Sequence, residues 1–174
     1  MSSPNPVPPI SVDKAKPEKL FYFVATGTVY RDGKCLLLQR SGKEIAHRGL
    51  WGVVGGKLEH RDMKNAPPTR VNGEVLDWEH MVEDLVRREA KEECGLDVAD
   101  FRYLDSVVFR RPDGVPVVCV KFACKAGPGE VVIAPEFDAY AWVDGAEVDQ
   151  YDCILGIPEE VRQTIGIFQG NSRT

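Results

Sequence analysis

Several features that mark common protein classes are missing from this chain of 174 residues. No apolar run approaches the roughly 20 residues that span a bilayer, and the N-terminus is rich in proline where a signal peptide would be apolar. Basic residues do not outnumber acidic ones, since 22 Lys and Arg stand against 27 Asp and Glu, for a net charge of -5. We therefore predict no membrane segment and no large nucleic-acid surface.

The cysteines lack the pattern of a disulfide framework or a zinc site. There are five of them, an odd number, and no C-x-x-C pair occurs. Most lie within apolar runs, so we expect reduced core residues in a cytoplasmic protein. They are Cys35, Cys94, Cys119, Cys124 and Cys153.

The length of the chain is sufficient for one domain with a sizeable core. Residues 1–19 combine five prolines with mostly polar residues, a composition that resists both helix and sheet and predicts a disordered tail. Residues 20–168 contain the patterned segments and form the predicted domain, and residues 169–174 form a short C-terminal tail. Nothing in the sequence indicates the oligomeric state.

Strand patterns and turn residues predict the order of elements. In chain order we expect a hairpin over 21–40 turning at Asp32-Gly33, a glycine-punctuated loop over 41–56, an inserted segment over 60–77 with a hairpin turn at Asn72-Gly73, a helix over 78–94, strands over 101–111 and 115–124 around Pro112-Asp113-Gly114, a strand including 140–143, and a helix over 158–168. Proline in the first turn suits that last helix.

The helix predicted over 78–94 carries the most informative feature of the chain. Its apolar positions recur at helical spacing, and the same stripe continues into Glu89, Glu92 and Glu93. The stripe consists of Trp78, Met81, Val82, Leu85 and Val86. Asp77 is the predicted N-cap, and Gly95 is expected to end the helix. The three carboxylates are therefore expected on the inward face.

Like charges on one face of a helix repel one another, so the cluster predicts a cation held between the carboxylates. Carboxylate oxygens suit Mg²⁺, with Mn²⁺ as an alternative. Arg88 lies four residues before Glu92 and is expected to orient it by an ion pair. The competing interpretation is an ordinary solvated helix face, which is how most charged runs are used.

Residues 88–96, Arg-Glu-Ala-Lys-Glu-Glu-Cys-Gly-Leu, resemble the second half of the box that defines the Nudix hydrolases, R-E-U-x-E-E-x-G-U, where U is a bulky aliphatic residue. Ala90 is smaller than the usual residue, while Leu96 fits. The segment Gly55-Gly56-Lys57-Leu58-Glu59 looks like the first half. The resemblance extends over most of residues 20–168 and implies an α/β fold, the Nudix-type α/β/α sandwich with a mixed sheet.

The two halves of the box are not in register with each other. Counted from Gly56, the position of the box glutamate is taken by Asp62, whereas counted back from Arg88 it is taken by His80. The insertion over 60–77 separates the halves. Asp62 is the preferred replacement because it keeps the spacing from the glycines, and Glu79 is a weaker candidate.

The resemblance implies a metal-dependent hydrolase that cleaves a pyrophosphate bond in a nucleoside diphosphate derivative, a small-molecule nucleotide substrate. It implies Glu92 and Glu93 as metal ligands, Glu89 as a further ligand or the general base, and Arg88 as part of the catalytic group. A carboxylate outside the helix, Glu136, is expected to complete the metal site.

Substrate contacts are expected from residues before the helix. Arg40 would bind phosphate through its guanidinium fork, against the alternative of a simple charge at a strand end. Gly55 and Gly56 would let the backbone approach a ligand, or serve only as turn residues. Trp51 would stack on a base, or pack in the core.

A binding protein that has lost activity is the competing functional hypothesis. Asp62 in place of the box glutamate and the inserted segment both favour a catalytically inactive Nudix-fold nucleotide-binding module. The walls of the pocket, rather than the box, determine which nucleotide is bound.

Overall fold

The computed structural model describes residues 10–44 and 46–170. A seven-stranded mixed sheet forms the centre of this part of the chain, with a separate two-stranded hairpin and three α-helices around it. The elements are β1 (Tyr22–Arg31), β2 (Lys34–Arg40), β3 (Trp51–Gly52), β4 (Val54–Lys57), α1 (His60–Lys64), β5 (Arg70–Asn72), β6 (Val75–Asp77), α2 (Met81–Cys94), β7 (Val98–Arg110), β8 (Pro116–Ala126), β9 (Phe137–Val143) and α3 (Ile157–Phe168).

The sheet is mixed because β1 and β8 run parallel while the other pairs are antiparallel. The path through the sheet is β3-β2-β1-β8-β7. The β1–β2 hairpin pairs at Tyr30 with Cys35 and at Arg31 with Lys34. Before that point β1 pairs with β4 instead, while β2 pairs with β9. The two strands therefore diverge, and β4 lies beside the first half of β1.

One helix covers each face of the sheet, and β2 supplies side chains to both layers. Leu36 and Leu38 belong to the core beneath α2, whereas Cys35 and Leu37 belong to the core beneath α3. All four are at most 1% exposed, as expected for a central strand buried on both faces. The predicted α/β/α sandwich with a mixed sheet is confirmed.

The contact between α2 and the sheet is close enough to require glycine. A Cβ atom built at Gly27 in β1 would lie 2.5 Å from Cγ1 of Val86. Gly95 ends α2 with φ 74, in the left-handed region that favours glycine, and its N–H donates to the carbonyl of Lys91. Helix α2 is therefore fixed in depth by Gly27 and in length by Gly95.

Most of the predicted turns lie where the sequence indicated. Gly33, Gly73 and Gly114 have positive φ values at the ends of the β1–β2, β5–β6 and β7–β8 hairpins. Pro158 lies in the first turn of α3. The five cysteines are free, and four of them are buried as predicted for core residues, while Cys153 is partly exposed.

The predicted start of the long helix is wrong. Asp77 is not its N-cap but the last residue of β6, where it pairs with Arg70 across the hairpin. Trp78 therefore lies outside the helix, and its indole N–H donates to the carbonyl of Ala66. The helix begins at Met81 after His80, which has φ 63. Because pairing with β5 keeps Asp77 in a strand, the helix begins three residues later than predicted.

The glycine segment is also not a loop. Gly55 and Gly56 belong to β4, where they pair with Thr26 and Ala25 of β1. A strand whose partner lies about 30 residues earlier has no local sequence signal, which explains the difference.

At the N-terminus, residues 1–9 of the predicted tail lie outside the described residues, as do residues 171–174 of the C-terminal tail. Within the described part, Pro17–Lys19 forms one turn of 3-10 helix. None of the helices described is both long and apolar enough to cross a membrane.

Candidate catalytic site

Glu93 is the most deeply buried acidic residue of the predicted cluster. It lies in the last turn of α2 on the face that packs against β4, and it is 9% exposed. Its Oε2 atom accepts a hydrogen bond of 3.1 Å from the backbone N–H of Gly55. The strand thus supplies the carboxylate with a neutral donor.

The electrostatic surroundings of Glu93 disfavour its charge. Its pKa is raised from the ordinary 4.5 to about 8, chiefly by burial and also by the nearby carboxylates of Glu89 and Glu136, while the Gly55 N–H and the Arg40 guanidinium oppose the rise. Desolvation and repulsion together outweigh the favourable contacts. A carboxyl group held in this way would be stabilised by an additional positive charge.

Glu89 occupies space that β4 leaves open for it. A Cβ atom built at Gly56 would lie 2.0 Å from Oε1 of Glu89, so any larger residue at this position would displace the carboxylate. Burial raises the pKa of Glu89, and the neighbouring Arg88 lowers it. The structure therefore brings Gly56 and Glu89 together. The space above this glycine is filled by the Glu89 side chain, whereas the sequence predicted that a ligand would approach it.

Arg88 is the cationic centre of the site. Its NH1 atom lies 2.9 Å from Glu89 and 3.2 Å from Glu92, and its Nε atom lies 3.4 Å from Asp62. Its NH2 atom is buried and has no hydrogen-bond partner among the described residues. One guanidinium thus holds three carboxylates around it, which fixes their relative positions.

The first helix of the insertion brings Asp62 to this arginine. In α1, Asp62 Oδ2 accepts a hydrogen bond of 2.7 Å from the N–H of Glu59, as part of a capping box. Glu79 instead forms an ion pair with Arg70, and His80 is an exposed residue before α2. Of the three candidates for the box glutamate, Asp62 is the one placed against Arg88.

The prediction that all three carboxylates face inward is wrong for Glu92. Its side chain is 58% exposed. Because an α-helix has 3.6 residues per turn, Glu92 points about 100° around the axis from its neighbour Glu93. The stripe continues into Glu93 and partly into Glu89, while Glu92 lies at its edge.

The predicted metal ligands do not form a preformed metal-binding arrangement in this structure. Within residues 10–44 and 46–170, no three Asp, Glu, His or Cys side chains have the arrangement of a metal site. The chemistry of the donors nevertheless fits a divalent cation, because Glu93 is buried next to the charges of Glu89 and Glu136. Hard oxygen donors with an excess of negative charge are the environment in which Mg²⁺ and Mn²⁺ bind.

Arg40 is engaged with its own loop. Its Nε atom donates to the carbonyl of Ala46 at 2.9 Å, and its NH2 atom contacts Glu44 at 3.1 Å. Its backbone also bonds with Leu50 and Gly49. The side chain organises the segment that connects β2 to β3, and its predicted contact with phosphate stays a prediction.

Trp51 packs against Tyr151, with ring centroids 4.9 Å apart and the rings nearly perpendicular. It joins the core beneath α3 as a partly buried residue. This packing corresponds to the core alternative for Trp51, and base stacking by it stays a prediction.

Two groups that bind predicted site residues were not predicted from the sequence. The donor to Glu93 is a backbone N–H, for which no side-chain pattern exists. Glu44 was missed although its spacing of four residues from Arg40 was a usable signal.

Taken together, the site has a buried carboxyl, a second, mostly buried carboxyl with a raised pKa and an arginine that fixes three acids. Such a group can hold a divalent cation beside a proton acceptor, which is the requirement for activating water against a phosphoryl group.

Comparison with known proteins gives a consistent result. The model of the NUDIX domain matches residues 22–155. The nucleoside triphosphatase NudI of Klebsiella pneumoniae is 27% identical over 134 residues, which cover 71% of this chain and 82% of that protein. NudI of Escherichia coli K12 is 24% identical over 144 residues, which cover 77% of this chain and 89% of that protein.

Solved structures share the fold. A MutT NUDIX hydrolase from Burkholderia pseudomallei superimposes with a TM-score of 0.58 at 23% identity, covering 84% of this chain and 97% of that one. The NUDIX domain of Shewanella oneidensis NrtR, in a complex with ADP ribose, gives a TM-score of 0.63 at 19% identity, covering 89% of this chain and 94% of that one.

Proposed function

The chain belongs to the Nudix hydrolase family, and from that membership we propose that it cleaves a pyrophosphate bond in a nucleoside diphosphate derivative with a divalent cation as cofactor. The domain responsible comprises residues 20–168. The observation that supports this function best is the burial of Glu93 beside Glu89 and Glu136, which raises its pKa to about 8.

The cation would be held by Glu93 and Glu92, with Glu136 as a further ligand and Glu89 beside it. When bound there, Mg²⁺ or Mn²⁺ lowers the pKa of water and offsets charge on the phosphoryl oxygens. The side chain of Glu92 must rotate inward from its exposed position to take part. Its ion pair with Arg88 keeps it within reach of the site.

Glu89 is our candidate for the general base. Burial raises its pKa toward the neutral range in which a base is most effective. Arg88 acts as a positioning residue, because it contacts Glu89 and Glu92 at once. Asp62 contacts the Nε atom of the same guanidinium, which gives the insertion a role at the site.

Nucleoside triphosphates are the first substrates to test. The NudI relatives carry the name nucleoside triphosphatase, and the aligned regions cover 82% and 89% of their lengths. A triphosphate satisfies the proposed chemistry, because it contains a nucleoside diphosphate linked to a further phosphate.

The experiment is a screen of nucleoside triphosphates, nucleotide sugars and dinucleotides for release of phosphate, pyrophosphate or monophosphate, with Mg²⁺, Mn²⁺ or EDTA. The double variant Glu92→Gln/Glu93→Gln is expected to lose turnover by roughly 10²-fold or more, since preorganised charges at a reacting group contribute on that scale. Glu83→Gln, on the same helix before the cluster, is the matched control and should keep wild-type turnover.

Turnover that persists unchanged in EDTA, or in the double variant, would contradict the metal site. The products show which bond is cleaved. Hydrolysis in ¹⁸O-labelled water shows which phosphorus is attacked, because the label appears in the product that contains it.

A nucleotide-binding module without catalysis is a second candidate, and one observation favours it. Arg88 already engages Asp62, Glu89 and Glu92, so three acids of the cluster have a cationic partner within the protein. Calorimetry that detects nucleotide binding, together with no product under either metal, would support this function over hydrolysis.

A further inference from the structure

Strand β7 ends the sheet. Its residues Val98–Arg110 pair with β8 on one side. No strand in the described part of the chain pairs with its other side. An unpaired edge of this length presents a row of backbone N–H and C=O groups that can accept another strand.

The second half of β7 lacks the bulges that protect many edges. Both irregularities in its register lie earlier, between Ala99 and Arg102 and between Tyr103 and Asp105. From Asp105 to Arg110 each residue pairs in turn with β8. Bulges twist an edge away from a partner, and this segment has none.

Apolar side chains on the same segment are exposed. Val108 is 67% exposed and Phe109 46%. The apolar surface continues onto the sheet, because Phe109 and Tyr22 both pair with Val117 and Tyr22 is 48% exposed. Surface of this kind beside an open edge is typical of an interaction site.

We propose that residues 105–111, called here the β7 edge segment, pair antiparallel with the same segment of a second copy of this chain. The two-fold axis lies at Val108, perpendicular to the sheet. Val107 then lies opposite Phe109 of the second copy, and Asp105 lies opposite Arg111. Contacts of this type are isologous, so each pair occurs twice.

Charge complementarity determines the occupant and the register. With the axis at Val108, an aspartate meets an arginine at both ends of the segment. The guanidinium of Arg111 contacts Asp113 within its own copy at 2.7 Å and would be shared with Asp105 of the second copy. With the axis at Ser106, Arg102 would face Arg110, which places like charges opposite each other. With the axis at Val107, Asp105 would face the ring of Phe109. A segment that complements itself in one register fits a second copy of the chain.

The test is sedimentation velocity on the full chain over a broad range of concentrations. Wild type is expected to form a dimer. Asp105→Arg and Arg111→Asp should each raise the dimer dissociation constant by about tenfold or more, because two opposite-charge pairs become two like-charge pairs. The double variant Asp105→Arg/Arg111→Asp restores opposite charges and should regain the wild-type constant.

Two controls separate loss of pairing from loss of folding. Glu130→Arg reverses an exposed charge outside β7 and should leave the dimer unchanged. Val108→Lys places two ammonium groups at the axis and should give a monomer whose far-ultraviolet circular dichroism and melting temperature match wild type.

A wild-type chain that stays monomeric at all concentrations would overturn the proposal. A dimer that survives both single charge reversals would overturn it as well, because its contact would then lie elsewhere. Failure of the double variant to recover would rule out this register.

Discussion

Each face of the sheet buries a glutamate, and the two glutamates differ in whether a cationic side chain is bound to them. Glu160 of α3 is 6% exposed and Glu93 of α2 is 9% exposed. Glu160 Oε1 lies 2.7 Å from Nζ of Lys121, itself mostly buried. Among the described residues, no lysine or arginine forms an ion pair with Glu93, whose hydrogen bond comes from the backbone of Gly55.

The difference separates a structural charge from one that is available for function. A buried carboxylate with a lysine partner is compensated within the fold, although its net contribution to stability is small. A buried carboxyl with other carboxylates as neighbours is costly to ionise, and such groups concentrate at functional sites. We therefore assign Glu160 to the architecture and propose Glu93 as the carboxyl group that takes part in the chemistry.

The largest effect on stability is expected at the compensated pair. Glu160→Leu leaves the Lys121 ammonium mostly buried without its partner and should lower the free energy of unfolding by about 3 kcal/mol. Urea denaturation measures this change. The double variant Lys121→Met/Glu160→Leu removes both charges and should recover most of the loss. A single variant as stable as wild type would show that the pair is not needed.

Replacing Glu93 is expected to raise the free energy of unfolding, the opposite of the effect at Glu160. Its raised pKa means that the folded chain holds this proton between pH 4.5 and about 8 while the unfolded chain releases it. The stability of the metal-free protein should therefore fall as pH rises through that interval. Glu93→Gln has no proton to lose and should be more stable than wild type by about 2 kcal/mol at pH 8.

Urea denaturation in EDTA at pH 5 and pH 8 measures that prediction. The variant and wild type should differ little at pH 5 and clearly at pH 8. A Glu93→Gln protein that is less stable than wild type at pH 8 would place Glu93 in the same class as Glu160.

A smaller effect is expected at Gly56, which borders the uncompensated site. Gly56→Ala places a methyl group where the flexible carboxylate of Glu89 lies, so it should change stability by less than about 1 kcal/mol and reduce turnover by about tenfold. Gly55→Ala instead meets the backbone oxygen of Ala25 at 2.8 Å and should mainly destabilise the fold. Equal effects of the two variants on turnover and stability would remove the distinction.

Local signals in the sequence were enough for much of the fold. Asp32-Gly33 predicted the β1–β2 turn and Gly95 predicted the end of α2, while the site predicted from the carboxylates of residues 89–93 stays a prediction. These features depend on residues that are close in sequence, where turn chemistry and helical spacing act directly.

What the sequence could not indicate depends on contacts between distant segments. Gly55 and Gly56 form a strand because β1 pairs with them, and His80 rather than Asp77 precedes α2 because β6 continues through Asp77. The compensation of Glu160 by Lys121 was not predicted either, since 39 residues separate them.

Binding of Mn²⁺ or Mg²⁺ in the absence of nucleotide tests most directly whether Glu93 and the carboxylates around it form a cation site. Isothermal titration calorimetry of wild type, Glu92→Gln/Glu93→Gln and Lys121→Met/Glu160→Leu compares the two faces in one experiment. We predict that wild type and the α3-face variant bind the cation with the same affinity, while the α2-face variant binds at least about tenfold more weakly. Equal affinity in all three proteins, or no binding by wild type, would contradict the assignment of Glu93 to a metal site.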